Sequence, residues 1–131
     1  MNEDKFSQWL NNLDFEFWST GQHKVVPNIF FEKWAKGEAI LLDVRAAQEK
    51  DFVTLPFALA IPIDELPQHL NEIPHDKLVA AFCSGGDRAG LAFAYLQIQG
   101  FDNVRILKAT YTELMAELLP GKLRKLIQDK E

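Results

Sequence analysis

Short, largely apolar runs constrain this chain more than any other feature: AILLDV at 39–44, ALAIPI at 58–63, KLVAAFC at 77–83 and NVRIL at 103–107. Each is too short for an ordinary helix and reads as a strand. AILLDV and KLVAAFC read further as buried strands, covered on both sides. The stretches between them carry helical spacing. Strands separated by helices predict an α/β domain with a mostly parallel central sheet of about five short strands, because parallel neighbours need a crossover and a helix is the usual one. With 131 residues, the chain makes one such domain and can bury roughly two thirds of the surface its unfolded form exposes.

The connecting segments have identifiable starts and stops. VVPNIFFEKWAKGEA predicts a helix with Pro27 in its first turn, an apolar face from Ile29, Phe30 and Trp34, and Gly37 at its end. RAAQEKDF offers one helical turn or two. IDELPQHLNEI predicts a helix capped by Asp64, with Pro67 tolerable only in its first turn. DRAGLAFAYLQIQG has so little polar face that it predicts a helix covered on most sides and closed by Gly100. One or two terminal helices follow, divided near Pro120 and Gly121. Residues 25–131 are read as this domain and residues 1–24 as a helical extension, in which Phe6, Trp9, Leu10 and Leu13 stand at helical spacing. That extension either packs on the domain or docks a partner; the further aromatics Phe15, Phe17 and Trp18 suit docking.

Charge and cysteine usage exclude several functions. A net charge of −5 argues against a nucleic acid or an anionic membrane as the main partner. A single cysteine excludes an internal disulfide, a Cys-x-x-Cys redox pair and a multi-cysteine zinc site. No metal site is expected. A reducing compartment suits one free thiol, and the acidic, mixed start together with the lack of any apolar run near ~20 residues predicts a cytoplasmic protein.

That cysteine opens the stretch CSGGDRAG. Cys83 ends an apolar run at the carboxyl end of a predicted strand, where ligands collect in open α/β sheets. The turn Ser84, Gly85, Gly86, Asp87, Arg88 leads directly into a helix. Backbone N–H groups in a glycine turn can converge on one anionic atom, and the helix N-terminus adds to their field. Both favour a thiolate, which is the reactive form of cysteine. Taken singly, each feature is ordinary: a packed thiol, a turn, a solvated arginine. Their coincidence in six residues points to a functional loop with Cys83 as nucleophile. His23, His69 and His75 fall in predicted loops or exposed turns, and none is placed as a general base.

These residues resemble a known family, the rhodanese-like sulfurtransferases in their single-domain form. CSGGDRA is similar to the family's active-site loop, with cysteine first, glycine fourth and arginine sixth. ILLDVR at 40–45 resembles the strand that carries the family's first signature, LPFALAIP at 55–62 aligns with its Ile-Pro-Gly-Ala-x-x-Ile-Pro segment, and LQIQGFDNVRIL at 96–107 with the helix end and strand after the loop. The resemblance covers residues 25–108. It implies that Cys83 carries sulfane sulfur as a persulfide, taken from thiosulfate, polysulfide or a persulfide donor and passed to a thiol or cyanide, with no cofactor. The implied partners are a small sulfur-containing anion or a protein persulfide, and a sulfur-relay protein; nucleic acid and membrane are not among them. Asp43 and Arg45 take a supporting role, bracing the loop or the domain edge, unless they form an ordinary surface ion pair.

The related cell-cycle phosphatases place five residues between cysteine and arginine, whereas Ser84 to Asp87 are four, so the tighter loop favours sulfur over phosphate. This chain departs from the family pattern in having Val53-Thr54 for Gly-His, Phe57 for the glycine after proline, an acid at Asp87, and Ala109-Thr110 for a Gly-Gly. The departures change the expected mouth: a bulkier wall, and little attraction for a doubly negative donor because Arg88 is the only full positive charge in the ring. Lys122, Arg124 and Lys125 form either a docking face or a solvated helix surface. The alternative to an enzyme is a binding or regulatory module that docks a partner through the N-terminal aromatic segment.

Overall fold

The computed structural model describes residues 4–131. Five strands form one sheet: β1 (Lys24–Val25), β2 (Ala39–Asp43), β3 (Leu59–Ala60), β4 (Leu78–Phe82) and β5 (Val104–Leu107). Their order is β1-β5-β4-β2-β3, and every pair is parallel. The expected α/β architecture is the one observed. β4 is buried at all five positions, as its unbroken apolar sequence requires of a strand with a layer on each face.

The period of two along the strands divides the core. Leu42, Val44, Val79, Ala81 and Cys83 face one layer, where they pack with Ala89, Ala92, Phe93 and Leu96 of helix α5 (Asp87–Ile98). Leu41, Ala80 and Phe82 face the other, where they meet Phe30, Phe31 and Ala35 of α3 (Pro27–Ala35), Leu114 of α6 (Tyr111–Ala116) and Leu126 of α7 (Pro120–Lys130). Cys83 thus continues the α5-facing row of β4.

Several local expectations are corrected. The buried face of α3 is Phe30, Phe31 and Ala35, with Trp34 half-buried and Ile29 exposed. Pro27 at the first helical position sets the phase, and that phase turns Ile29 outward. The segment 63–72 forms two 3-10 helices, Ile63–Gln68 and Leu70–Glu72, and not an α-helix. Pro67 lies inside the first, where it cannot donate, and Asp64 caps nothing; Pro62 precedes the turn. Leu91 of α5 is 65% exposed, so that helix keeps one open stripe. The extension is two short helices, α1 (Lys5–Leu10) and α2 (Phe15–Ser19), because the Asp14 carboxylate accepts from Phe17 N at 2.9 Å and starts a second helix. The remaining element, α4 (Ala47–Lys50), is a single turn.

The extension packs on α5. Trp9 donates its indole N–H to Gln97 Oε1 at 2.8 Å and meets Phe93 edge-on, while Phe17 stacks on His23 at 5.4 Å between centroids. His23, expected in an exposed turn, is only 8% exposed. Burial lowers its affinity for a proton, and the charges of Lys24, Lys108 and Arg105 lower it further. His69 instead pairs with Glu65 and Glu72, and His75 stacks on Phe101. No helix among the described residues is long and apolar enough to cross a membrane.

Because the native His23 resists protonation, the unfolded chain binds the extra proton first as pH falls below its ordinary value of about 6.5. The stability deficit therefore opens at that pH and grows until the lowered native value is reached. Thermal midpoints measured between pH 7 and 5 should fall more steeply for the wild type than for His23→Phe. Equal slopes would contradict this account of His23.

Candidate functional site

Four residues, 83–86, join the carboxyl end of β4 to α5, and the backbone there encloses a sulfur atom. Cys83 is 2% exposed. Its Sγ accepts from Gly86 N at 3.0 Å and from Ala89 N at 3.2 Å. Gly86 makes this possible: its φ of +93° turns the chain back over the sulfur, a conformation in which a Cβ would be strained. It is also the residue before α5, whose first intrahelical bond runs from Gly90 N to Gly86 O at 3.0 Å. The sulfur therefore lies at the positive end of a twelve-residue helix dipole. Ser84 and Gly85 lie on the outside of the turn, and Asp87, also exposed, begins the helix, where a negative charge is favourable.

Arg88 carries the one full positive charge expected in the loop, but a carboxylate distant in sequence offsets it. Its guanidinium forms a two-pronged ion pair with Glu49, Nη1 to Oε1 and Nη2 to Oε2, the latter at 3.1 Å, and Nη2 also reaches Ser84 Oγ at 3.2 Å. Hydrogen bonding to Glu49 holds the Arg88 proton more firmly, and the same bond holds the Glu49 carboxyl below its usual range. The positive charge at the loop is thus offset by a carboxylate from α4. Sequence reading missed Glu49 because it stands 39 residues from Arg88. Its one local signal is capping: Glu49 Oε1 also accepts from Ala46 N at 3.1 Å and fixes the first turn of α4.

Asp43 and Arg45 form a buried pair, and the surface alternative is excluded. Asp43 is 1% exposed and Arg45 0%. Arg45 Nε and Nη2 donate to the two oxygens of Asp43 at 2.9 and 2.8 Å. Nη1 donates to Tyr111 Oη at 2.8 Å and Nη2 to Val53 O at 2.8 Å. Hydrogen bonding to Asp43 raises the Arg45 pKa despite burial. One side chain thereby ties the end of β2 to the 51–58 segment and to α6. Phe57, expected as a bulkier wall of the mouth, has its ring against Phe31 and Trp34, at 5.6 and 5.9 Å. Lys122 pairs with Glu117 on an exposed helix surface.

The sequence profile of the rhodanese-like domain matches residues 29–117, two thirds of the chain and all of the strand-to-helix turn. The chain belongs to the rhodanese-like domain family. Among its relatives, a sulfurtransferase of Allochromatium vinosum is 35% identical over 71 residues, covering 54% of this chain and 66% of that protein. A tRNA uridine(34) hydroxylase of Xanthomonas campestris is 42% identical over 73 residues, which is 50% of this chain and 28% of the relative. The chain therefore spans little more than a quarter of the hydroxylases it resembles. Among solved structures, the human single-domain sulfurtransferase TSTD1 aligns with a TM-score of 0.59 at 26% identity, over 72% of this chain and 96% of that one. A rhodanese-related protein of Thermoplasma volcanium aligns at 0.63 with 24% identity, over 75% and 95%, and supports the fold.

The two arginines of this rhodanese-like domain should contribute unequally to stability. Arg45→Ala leaves Asp43 buried without its partner and should lower stability by about 3–5 kcal/mol. Arg88→Ala breaks a pair that is about a third exposed and should cost at most about 1 kcal/mol. Urea unfolding of both variants measures the difference, and similar losses would refute the division between brace and loop.

Proposed function

We propose that this rhodanese-like domain is a sulfurtransferase in which Cys83 carries sulfane sulfur as a persulfide. The observation that carries the reading is the pair of backbone N–H groups, from Gly86 and Ala89, directed at Cys83 Sγ beneath the N-terminus of α5. Such a cradle favours a sulfur that bears negative charge, either the thiolate or the leaving sulfur of a persulfide. It does so without a base, a metal or a cofactor. In the first step the Cys83 thiolate attacks the outer sulfur of a donor, an S–S bond to Sγ forms, and the donor's own S–S bond breaks with its electron pair leaving on the donor fragment. With thiosulfate that fragment is sulfite. In the second step an acceptor thiolate or cyanide attacks the bound outer sulfur, and the Cys83 thiolate is regenerated. Neither step has a net redox change.

Charge bears on the donor. Glu49 offsets Arg88, and Asp87 adds an exposed acid to the turn. Thiosulfate carries two negative charges close to the transferred sulfur and gains little there, so a persulfide donor suits the loop better. The reaction proceeds in the cytoplasm in this reading, and Ser84, Gly85, Gly86, Asp87 and Arg88 form the binding loop.

Intact-mass measurement after incubation with a persulfide or thiosulfate donor should show a gain of one sulfur atom that cyanide removes, and Cys83→Ser should show none. Uptake by Cys83→Ser, or no uptake by the wild type, would overturn the proposal. Asp87→Asn should raise kcat/KM for thiosulfate by roughly threefold, the scale of one exposed charge contact, and should leave a cysteine persulfide donor nearly unchanged. Equal gains for both donors would refute the charge argument.

A further inference from the structure

Beside the turn lies a cavity of about 280 Å³, walled by Gly85 and Gly86 on one side and by Trp18, His23, Lys24 and Lys108 on the other. Cys83 is not part of its lining; the glycine turn stands between the two. The wall combines elements far apart in sequence. α2 contributes Trp18, His23 precedes β1 and Lys24 opens it, and the residue after β5 contributes Lys108. Trp18 meets the His23 ring edge-on at 4.8 Å between centroids, so the extension supplies part of the cavity wall.

The charge of this cavity differs from that of the loop. Lys24 and Lys108 are exposed, and with Arg105, which donates to Lys24 O at 3.1 Å, they act on His23 and help to keep it neutral. Asp87 is an acid on the same wall, so its two lysines leave an excess of one positive charge. That excess stands out in a chain of net charge −5. The buried His23 ring forms part of the cavity wall without adding charge to it.

We infer that this cavity is a subsite for the anionic end of the second substrate, a small thiol that bears a carboxylate. The inference rests on the sulfurtransferase reading of Cys83 and deepens it. The sulfane sulfur of a persulfide stands ~2 Å beyond Sγ, and an acceptor reaches it from the flank of the turn. A thiol that places its carboxylate on Lys24 and Lys108 needs a carbon spacer between charge and sulfur, because the turn separates the cavity from Cys83. Thiosulfate has no such spacer, so the same lysines give it no comparable advantage. The step is an exchange: the acceptor thiolate forms an S–S bond to the outer sulfur of the Cys83 persulfide, the bond from that sulfur to Sγ breaks, and its electron pair returns to Cys83 as thiolate. The proton on the persulfide passes to the new one, and charge is conserved.

The test uses 3-mercaptopropionate and 3-mercapto-1-propanol, which share a three-carbon chain and differ in charge. With the persulfidated protein, the carboxylate thiol should show a KM several-fold lower at similar kcat. Lys24→Gln and Lys108→Gln should each raise that KM by roughly threefold, the scale of one exposed ion pair, and the double variant should erase the preference. Equal KM values in the wild type, or a preference that survives in the double variant, would overturn the subsite. A second measurement is independent of sulfur transfer. In ¹H–¹⁵N spectra of Cys83→Ala, 3-mercaptopropionate should shift the amides of Gly85, Gly86 and Lys108, and 3-mercapto-1-propanol should not. Shifts in a protein whose wild type never takes up sulfur would retain the subsite and remove the sulfurtransferase reading. Absence of shifts would remove the subsite alone.

Discussion

The burial of β4 on both faces and both edges is the constraint from which the rest of the structure follows. With β2 and β5 paired to its sides and a helical layer on each face, every one of its backbone groups and side chains is committed to the interior. The strand cannot end gradually. At Cys83 the chain leaves the sheet beneath α5, and only a tight turn returns it to the start of that helix. The left-handed conformation of Gly86 accomplishes the return and aims an N–H at Sγ in the same movement. The sulfur cradle is therefore a consequence of a central parallel strand followed by a close crossover helix, and it needs no dedicated side chain.

Side chains enter as supports. Arg45 is the largest fully buried one, and its donors reach Asp43, Val53 and Tyr111, so the 51–58 segment and α6 are held against the carboxyl end of β2. A buried ion pair gains little net stability over apolar residues of similar volume, but one that satisfies several distant acceptors fixes their relative positions. Arg88 and Glu49 do similar work nearer the surface, where α4 is tied to the first turn of α5. The loop is thus held from below by its backbone and from the side by a compensated charge.

The elements most legible in the sequence were those governed by short-range periodicity. The runs at 39–44 and 77–83 read as strands because a short, dense apolar run suits a doubly covered strand, and α5 read as a covered helix for a related reason, although Leu91 escaped. Cys83 and its turn were legible because the motif is contiguous. Pairings across the chain were not. Glu49 resembles any acid on a helical turn until the fold brings it to Arg88, and His23 resembles a loop histidine until Phe17 and Trp18 cover it. Asp43 and Arg45 lie two residues apart, at the distance of an ordinary surface pair; the tertiary contacts of Arg45 with Tyr111 and Val53 are what make the pair a brace. The 3-10 geometry of 63–72 was obscured by Pro67, which ends an α-helical hydrogen-bond series and is compatible with tighter turns.

Two electrostatic environments meet at one pair of glycines. On the Cys83 side Glu49 offsets Arg88, and attraction for an anion comes from backbone dipoles, which act over short distances on the sulfur itself. On the cavity side Lys24 and Lys108 carry full charges that are exposed and act over a longer range, though salt weakens them. In the proposed sulfur exchange, an arrangement of this kind separates two requirements. The dipoles stabilise whichever sulfur bears charge at a given step and are indifferent to what it is attached to, whereas the lysines respond to a charge held away from the sulfur. In the proposed exchange, selectivity among thiols depends on the spacer between the two, and the N-terminal extension supplies Trp18 to the wall of the cavity that holds the charge.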